Sequence, residues 1–274
     1  MGTTRPMPRG VRPRNMTQAL VDTQRRLPPD VRADVDGDTL QWYLADRYYE
    51  PVAAASKLTT MRRWRKSFAL ETRNVDTTRE AQALKGYLHS SRDVLGRPVV
   101  VAVARRHSVL KRRLLESKLL CVEILEQALQ MLGQDSGSGS GSDPGGTLPG
   151  TSGSSATPTY ISDSGPGPVT GSSGSSKESS EGDASQILGI FDLRQLSPES
   201  LDFEFVFFLI DAIYNYYPQR LGQVLLLEAP FMVFQPAWGM IQPALGKHGG
   251  IVRFVDRKQL RTYFTPETLP KEFR

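Results

Sequence analysis

Between residues 187 and 255 the chain alternates short apolar runs with long ones, and this pattern limits the possible folds more than any other feature. Residues 187–193, 224–227 and 251–255 have the length of strands and no polar alternation. Between them, residues 198–217 and Phe231–Leu245 are apolar and long enough for helices, with Pro236 and Pro243 bending or dividing the second. Strand, helix, strand, helix, strand is the sequence form of right-handed parallel crossovers. Strands without polar alternation belong to a sheet covered on both faces. Upstream, Val99–Val103 follows a Gly96-Arg97-Pro98 turn and reads as one more buried strand. A helix is expected after it, from about residue 108 to 132, with an apolar stripe that includes Leu110, Leu114, Leu125 and Leu132. The expected fold class is α/β, with a mostly parallel sheet flanked by helices.

The first third of the chain has a different period. Leu40, Tyr43, Leu44 and Arg47 follow helical spacing, with Asp38 the expected N-cap. Pro51 suits the first turn of a second helix, which Val52, Ala55, Leu58 and Met61 continue towards Trp64. Arg62, Arg63, Arg65 and Lys66 around Trp64 suit a solvated helix end; no RNA-binding signature accompanies them, so no nucleic-acid partner is expected. In residues 134–185, 38 of 52 are Gly, Ser, Pro or Thr, a composition that cannot build a core. Closure entropy grows slowly with loop length, so the elements flanking such an insert can still pack together. The insert holds six acids and only Lys177 as a base, which leaves 33 basic and 23 acidic residues elsewhere, a net +10. The expected layout is a basic flexible tail over 1–37, a helical region over 38–85, an α/β domain from 86–133 and 186–274, and a disordered insert over 134–185.

Several chemistries have no support. No run approaches the ~18 apolar residues of a spanning helix. Cys121 is the only cysteine, which excludes an intrachain disulfide and a thiolate metal cluster and fits a reducing compartment. No nucleophile elbow, phosphate-binding loop or dinucleotide fingerprint occurs, and His89, His107 and His248 lack metal-ligand spacing. Neither catalysis nor a metal is expected. Asp192 ends a strand, where parallel-sheet proteins place ligands; a structural bond to a neighbouring loop is an equal reading. Residues 201–245 are apolar on nearly all sides and must be buried all round or line something apolar. Phe231, Met232, Phe234, Trp238, Met240 and Ile241 follow Ala229-Pro230, and a proline-punctuated apolar segment makes a plausible movable lid.

These residues also carry a family resemblance. Thr39-Leu40-Gln41-Trp42-Tyr43-Leu44-Ala45-Asp46-Arg47, Asp93-Val94-Leu95-Gly96-Arg97-Pro98-Val99 and Ile190-Phe191-Asp192-Leu193-Arg194-Gln195-Leu196-Ser197 are the first three blocks. Tyr217-Pro218-Gln219-Arg220-Leu221-Gly222, Glu228-Ala229-Pro230-Phe231 and Leu269-Pro270-Lys271-Glu272-Phe273 follow in order. Together they resemble the CRAL-TRIO lipid-binding family, which includes phosphatidylinositol/phosphatidylcholine transfer proteins. The resemblance implies a small helical N-terminal region, an α/β domain whose sheet floors a lipid pocket, and a mobile gate helix near residues 231–245. It places lipid contacts at Asp192, Phe205, Phe208, Gln219, Leu227, Lys247 and Arg253, and gate or membrane contacts at Phe231, Phe234, Trp238, Met240 and Ile241. Gln219 stands where the family's phosphoinositide binders carry Glu, which keeps hydrogen bonding but loses the charge. A family lysine falls on Gly250, with Lys247 and Arg253 nearby. The family usually continues past the position of Arg274, so one pocket edge is expected to be unsealed. The implied function is to bind one hydrophobic lipid, a phospholipid or similar, and to exchange or present it at membranes. A lipid-sensing interaction module is the alternative. The expected partners are the lipid and a transient membrane surface, a protein partner being left open; no cofactor beyond the bound lipid is expected, and the location is cytoplasmic and peripheral to membranes.

Overall fold

The computed structural model describes residues 15–135 and 184–274; residues 1–14 and 136–183, which hold the start of the expected tail and most of the expected insert, lie outside the described residues. Helices α1 (Met16–Arg26), α2 (Pro29–Arg32), α3 (Gly37–Asp46), α4 (Pro51–Glu71) and α5 (Thr78–Gln82) come first. Then follow β1 (Gly86–Leu88), β2 (Val99–Val103), α6 (Leu114–Asp135), β3 (Ile187–Asp192), α7 (Phe203–Asp211), β4 (Leu221–Leu227), α8 (Phe231–Leu245), β5 (Val252–Val255) and α9 (Arg257–Arg261). The described strands form one sheet in the order β1-β2-β3-β4-β5; β2 to β5 are parallel and β1 is antiparallel to β2. Because the parallel strands follow one another in space, right-handed crossovers put their connecting helices on one face. There α7 packs between α6 and α8. The α/β expectation holds, and the short edge strand β1 is an element that the apolar runs did not reveal.

The N-terminal third departs from expectation. Residues 16–32 are not tail: α1 and α2 bury Thr23, Leu27 and Val31 against α3 and α4. The apolar positions are sparse but fall on one face, and Pro29 opens α2 at a first-turn position where its missing N–H costs nothing. Asp36, not Asp38, caps α3: its Oδ1 accepts from Thr39 N at 2.7 Å. Pro51 does open α4. Helix α6 begins at Leu114 rather than near 108, and Leu110 is exposed before it.

This bundle is fastened to the end of α7. Residues Ala212–Tyr216 continue α7 as a π turn, which inserts an extra residue into the helical repeat. Its Tyr216 ring stacks on Trp64 of α4, centroids 4.0 Å apart and 6° from coplanar. Tyr43 Oη donates to the Tyr216 carbonyl at 2.9 Å, Trp42 Nε1 donates to the Pro218 carbonyl, and Tyr217 Oη donates to Glu126 at 2.6 Å.

The strand pleat divides the core in two. Val99, Val101, Val103, Leu188, Ile190, Leu225 and Leu227 face one side, packed with Leu260, Phe264, Leu269 and Phe273 of α9 and the C-terminal segment. At the carboxyl edge of this side Asp192 is fully buried between Arg105 (2.5 Å) and Arg194 (2.8 Å), and the Arg194 guanidinium lies over the Phe273 ring. At the opposite edge the turn before β2 holds a wholly buried ion pair. Arg97 Nε donates to Asp93 Oδ2 at 2.7 Å, and Asp93 Oδ1 accepts from the Arg97 N–H at 2.8 Å. Gly96 has φ +79°, so only glycine takes this turn without strain.

Two outcomes follow. Arg97→Met leaves the Asp93 carboxylate buried and unpaired, and urea unfolding should show a loss of about 3–5 kcal/mol; a double variant with Asp93→Asn should recover a substantial part of it. Burial alone would raise the Asp192 carboxyl, but bonds from Arg194 and Arg105 outweigh it and hold it below the usual carboxylate range. The stability this supplies is complete above the ordinary carboxylate pKa and is lost as pH falls through the lowered folded value. The stability gap between the native chain and Asp192→Asn should therefore be widest near neutrality and shrink below about pH 4.

Candidate functional site

The other face of the sheet is only partly filled. Between it and α6, α7 and α8 lies a cavity of about 260 Å³. Val100, Ala102, Phe191, Val224, Leu226 and Val252 form its floor. Leu120 and Ile124 of α6, Val206, Leu209 and Ile210 of α7, and Phe234, Trp238 and Ile241 of α8 form its walls. The reason is local. Helix α7 is apolar on most of its circumference, so it can face α6, the floor and α8 at once. Helix α8 carries no charged side chain, and Pro236 and Pro243 sit inside it, where each removes a backbone bond.

One end of the cavity is polar. It lies by the carboxyl edge of β2, where Glu80, Lys85, His107, Ser117 and Asp202 contribute to the lining. Burial would raise the Glu80 carboxyl, but bonds from Lys85 and Ser117 hold it below its ordinary range. Asp202 caps α7 through the Phe205 N–H at 3.1 Å and is paired with Arg112. Cys121 also lines the cavity; burial pushes its thiol up to about 12, which removes its thiolate reactivity at neutral pH.

The residues expected to touch lipid divide unevenly. Phe205 lines the cavity. Phe208, one turn on, instead packs against Phe68 of α4 with Lys118 over its ring. Leu227 faces the opposite side of the sheet, because the pleat gives Leu226 to the cavity and Leu227 to the sealed core. Asp192 is on that sealed side too, so the structural reading of this residue stands. Arg253 pairs in register with Leu225, which places it on the face away from the cavity. Gln219 is exposed in a turn at φ +57°, where its carbonyl accepts from Gln186 at 2.9 Å. The side chain of Lys247 lies outside what the structure describes; its backbone belongs to the 3₁₀ segment Gly246–Ile251.

The expected gate residues separate by face. Phe234, Trp238 and Ile241 point into the cavity, and Phe234 and Trp238 pack on Phe254 of β5. Phe231 and Met240 are exposed on the outer side together with Met232. Of the polar end, the sequence singles out only His107, and only as a residue without metal-ligand spacing. Its five residues come from separate stretches between positions 80 and 202, and no spacing links them. Among the described residues no helix is long and apolar enough to cross a membrane, and no group of three or more His, Cys, Asp or Glu side chains is placed to hold a metal ion.

Compared with models of known families, residues 175–274 match the CRAL/TRIO domain. The matched stretch holds β3 to β5, α7 and α8, and so carries most of the cavity; β1, β2 and α6, outside it, complete the same sheet and wall. The match identifies residues 175–274 as similar to the CRAL/TRIO domain, and the mostly parallel sheet with a cavity on one face is consistent with that domain.

Proposed function

We propose that the protein carries one lipophilic molecule in this cavity and exchanges it at membrane surfaces, with α8 as the gate. The observation that supports the reading is the two-sidedness of α8. Its inner face is closed over the cavity, with Phe234 7% and Ile241 9% exposed, whereas Phe231 is 69% and Met232 83% exposed. An uncharged helix that is apolar on both faces suits a part that meets ligand on one side and bilayer on the other.

The energetics ask for such a device. Hydrating an alkyl chain costs about 0.8 kcal/mol per methylene, or roughly 12 kcal/mol for a long chain. A closed apolar cavity removes that cost during passage through water, and the closure must be undone at the membrane. Two internal prolines weaken the backbone bonding of α8 and make it the wall easiest to displace. The net charge of +10 outside the insert favours approach to anionic lipid, at about 1 kcal/mol for each well-placed base. On this reading the protein is a carrier rather than a catalyst, peripheral to membranes on their cytoplasmic side.

Transfer of a fluorescent lipid between donor and acceptor vesicles tests the proposal. Phe234→Asp with Trp238→Asp puts charge into the cavity and should abolish transfer. Phe231→Asp with Met232→Asp alters only the outer face, and should lower vesicle binding and transfer at least tenfold while a lipid already loaded stays bound. Undiminished transfer by both folded variants would exclude α8 as the gate.

A further inference from the structure

The hydrogen bonds at the polar end of the cavity leave a specific remainder. Lys85 Nζ gives two of its three protons to Glu80, at 2.7 Å to each oxygen, and Ser117 Oγ donates to Glu80 Oε2 at 2.8 Å. His107 Nε2 lies 3.0 Å from Asp202 Oδ2. Burial raises the Asp202 carboxyl, but bonds from the Phe205 N–H, His107 and Arg112 outweigh this and keep it ionised. An ionised carboxylate only accepts, so Nε2 carries the proton. Burial holds His107 below its ordinary value against the pull of Asp202, and the charge of Lys85 adds to the effect. The ring is therefore neutral near pH 7 and Nδ1 is a bare acceptor. Among the described residues neither Nδ1 nor the third Lys85 proton has a partner.

We propose that this end of the cavity recognises the hydroxyl group of a single-chain lipid alcohol, with His107 Nδ1 accepting its proton and Lys85 donating to its oxygen. The inference rests on the lipid-carrier reading and narrows it. A hydroxyl is the small group that satisfies one donor and one acceptor together. An ether accepts but cannot donate, so it leaves Nδ1 without a bond from the ligand. A phosphate or carboxylate would bring negative charge beside Glu80 and Asp202, whose charges are already matched by Lys85 and Arg112. Size points the same way: apolar cavities of about 150 Å³ take a benzene ring, so one of about 260 Å³ is on the scale of one chain rather than two.

The test compares ligands of equal length on the full chain. The protein is incubated with an equimolar mixture of 1-tetradecanol, 1-methoxytetradecane, tetradecanoic acid and dimyristoylphosphatidylcholine, repurified, and its bound lipid measured by mass spectrometry. The alcohol should be retained about tenfold over the ether, the scale of one hydrogen bond. In His107→Phe, which keeps an aromatic ring beside Phe205, alcohol occupancy should fall to that of the ether; Lys85→Met should also lower it. Equal retention of alcohol and ether by the native chain would overturn hydroxyl recognition but leave the carrier reading intact. Dominant tetradecanoic acid or phosphatidylcholine would overturn it in favour of an anionic or two-chain ligand. Retention of none of the four by the folded protein would overturn the carrier reading itself, and this proposal with it.

Discussion

The pleat of three adjacent strands sends Val101, Ile190 and Leu225 to one side of the sheet and Val100, Phe191 and Leu226 to the other. Both sides must be kept from water, since neither carries a polar row that could face it. The chain meets the two demands differently. One side is covered by the short helix α9 and the C-terminal segment, which fill it with Leu260, Phe264, Leu269 and Phe273. The other receives α6, α7 and α8, whose side chains leave a cavity of about 260 Å³ against the sheet. A cavity and a solid core are thus alternative ways of covering two faces of the same strands.

Three buried carboxylates of this interior are each held by several donors. Asp93 with Arg97 at the entry to β2, Asp192 between Arg105 and Arg194, and Glu80 with Lys85 and Ser117 each satisfy a buried carboxylate completely. The first two sets fix the ends of strands and the C-terminal segment. The third, with His107 and Asp202, is the set that opens onto the cavity.

The sheet and its crossovers were legible because strands buried on both faces lose their polar alternation, so 187–193, 224–227 and Val99–Val103 stand out as unbroken apolar runs. The helices of the first 37 residues were not, because a surface helix needs few apolar residues and α1 buries only Thr23 fully. At the site, legibility failed on the scale of single residues. Apolarity identifies Phe205 and Phe208, or Leu226 and Leu227, as buried but cannot say against what. That depends on helical phase and strand register, which only packing defines. Gln219 and Arg253 sit in stretches that resemble the family, yet one is in an exposed turn and the other faces away from the cavity. The polar end is assembled from separate stretches of chain and leaves no local trace at all.

The π turn at Ala212–Tyr216 shapes how this sequence can change over time. It lets one continuous element present Ile213 and Tyr214 to the cavity and then Tyr216 to Trp64 of the helical bundle. Substitution within it alters one contact. Loss of a single residue there would instead rotate everything beyond it by about 100°, the angular step of a helix, and would part the tyrosine from its stacking partner. The segment should thus accept varied side chains far more readily than any change in its length, and lineages of this protein should keep the spacing between Asp211 and Tyr217 even where the letters between them drift.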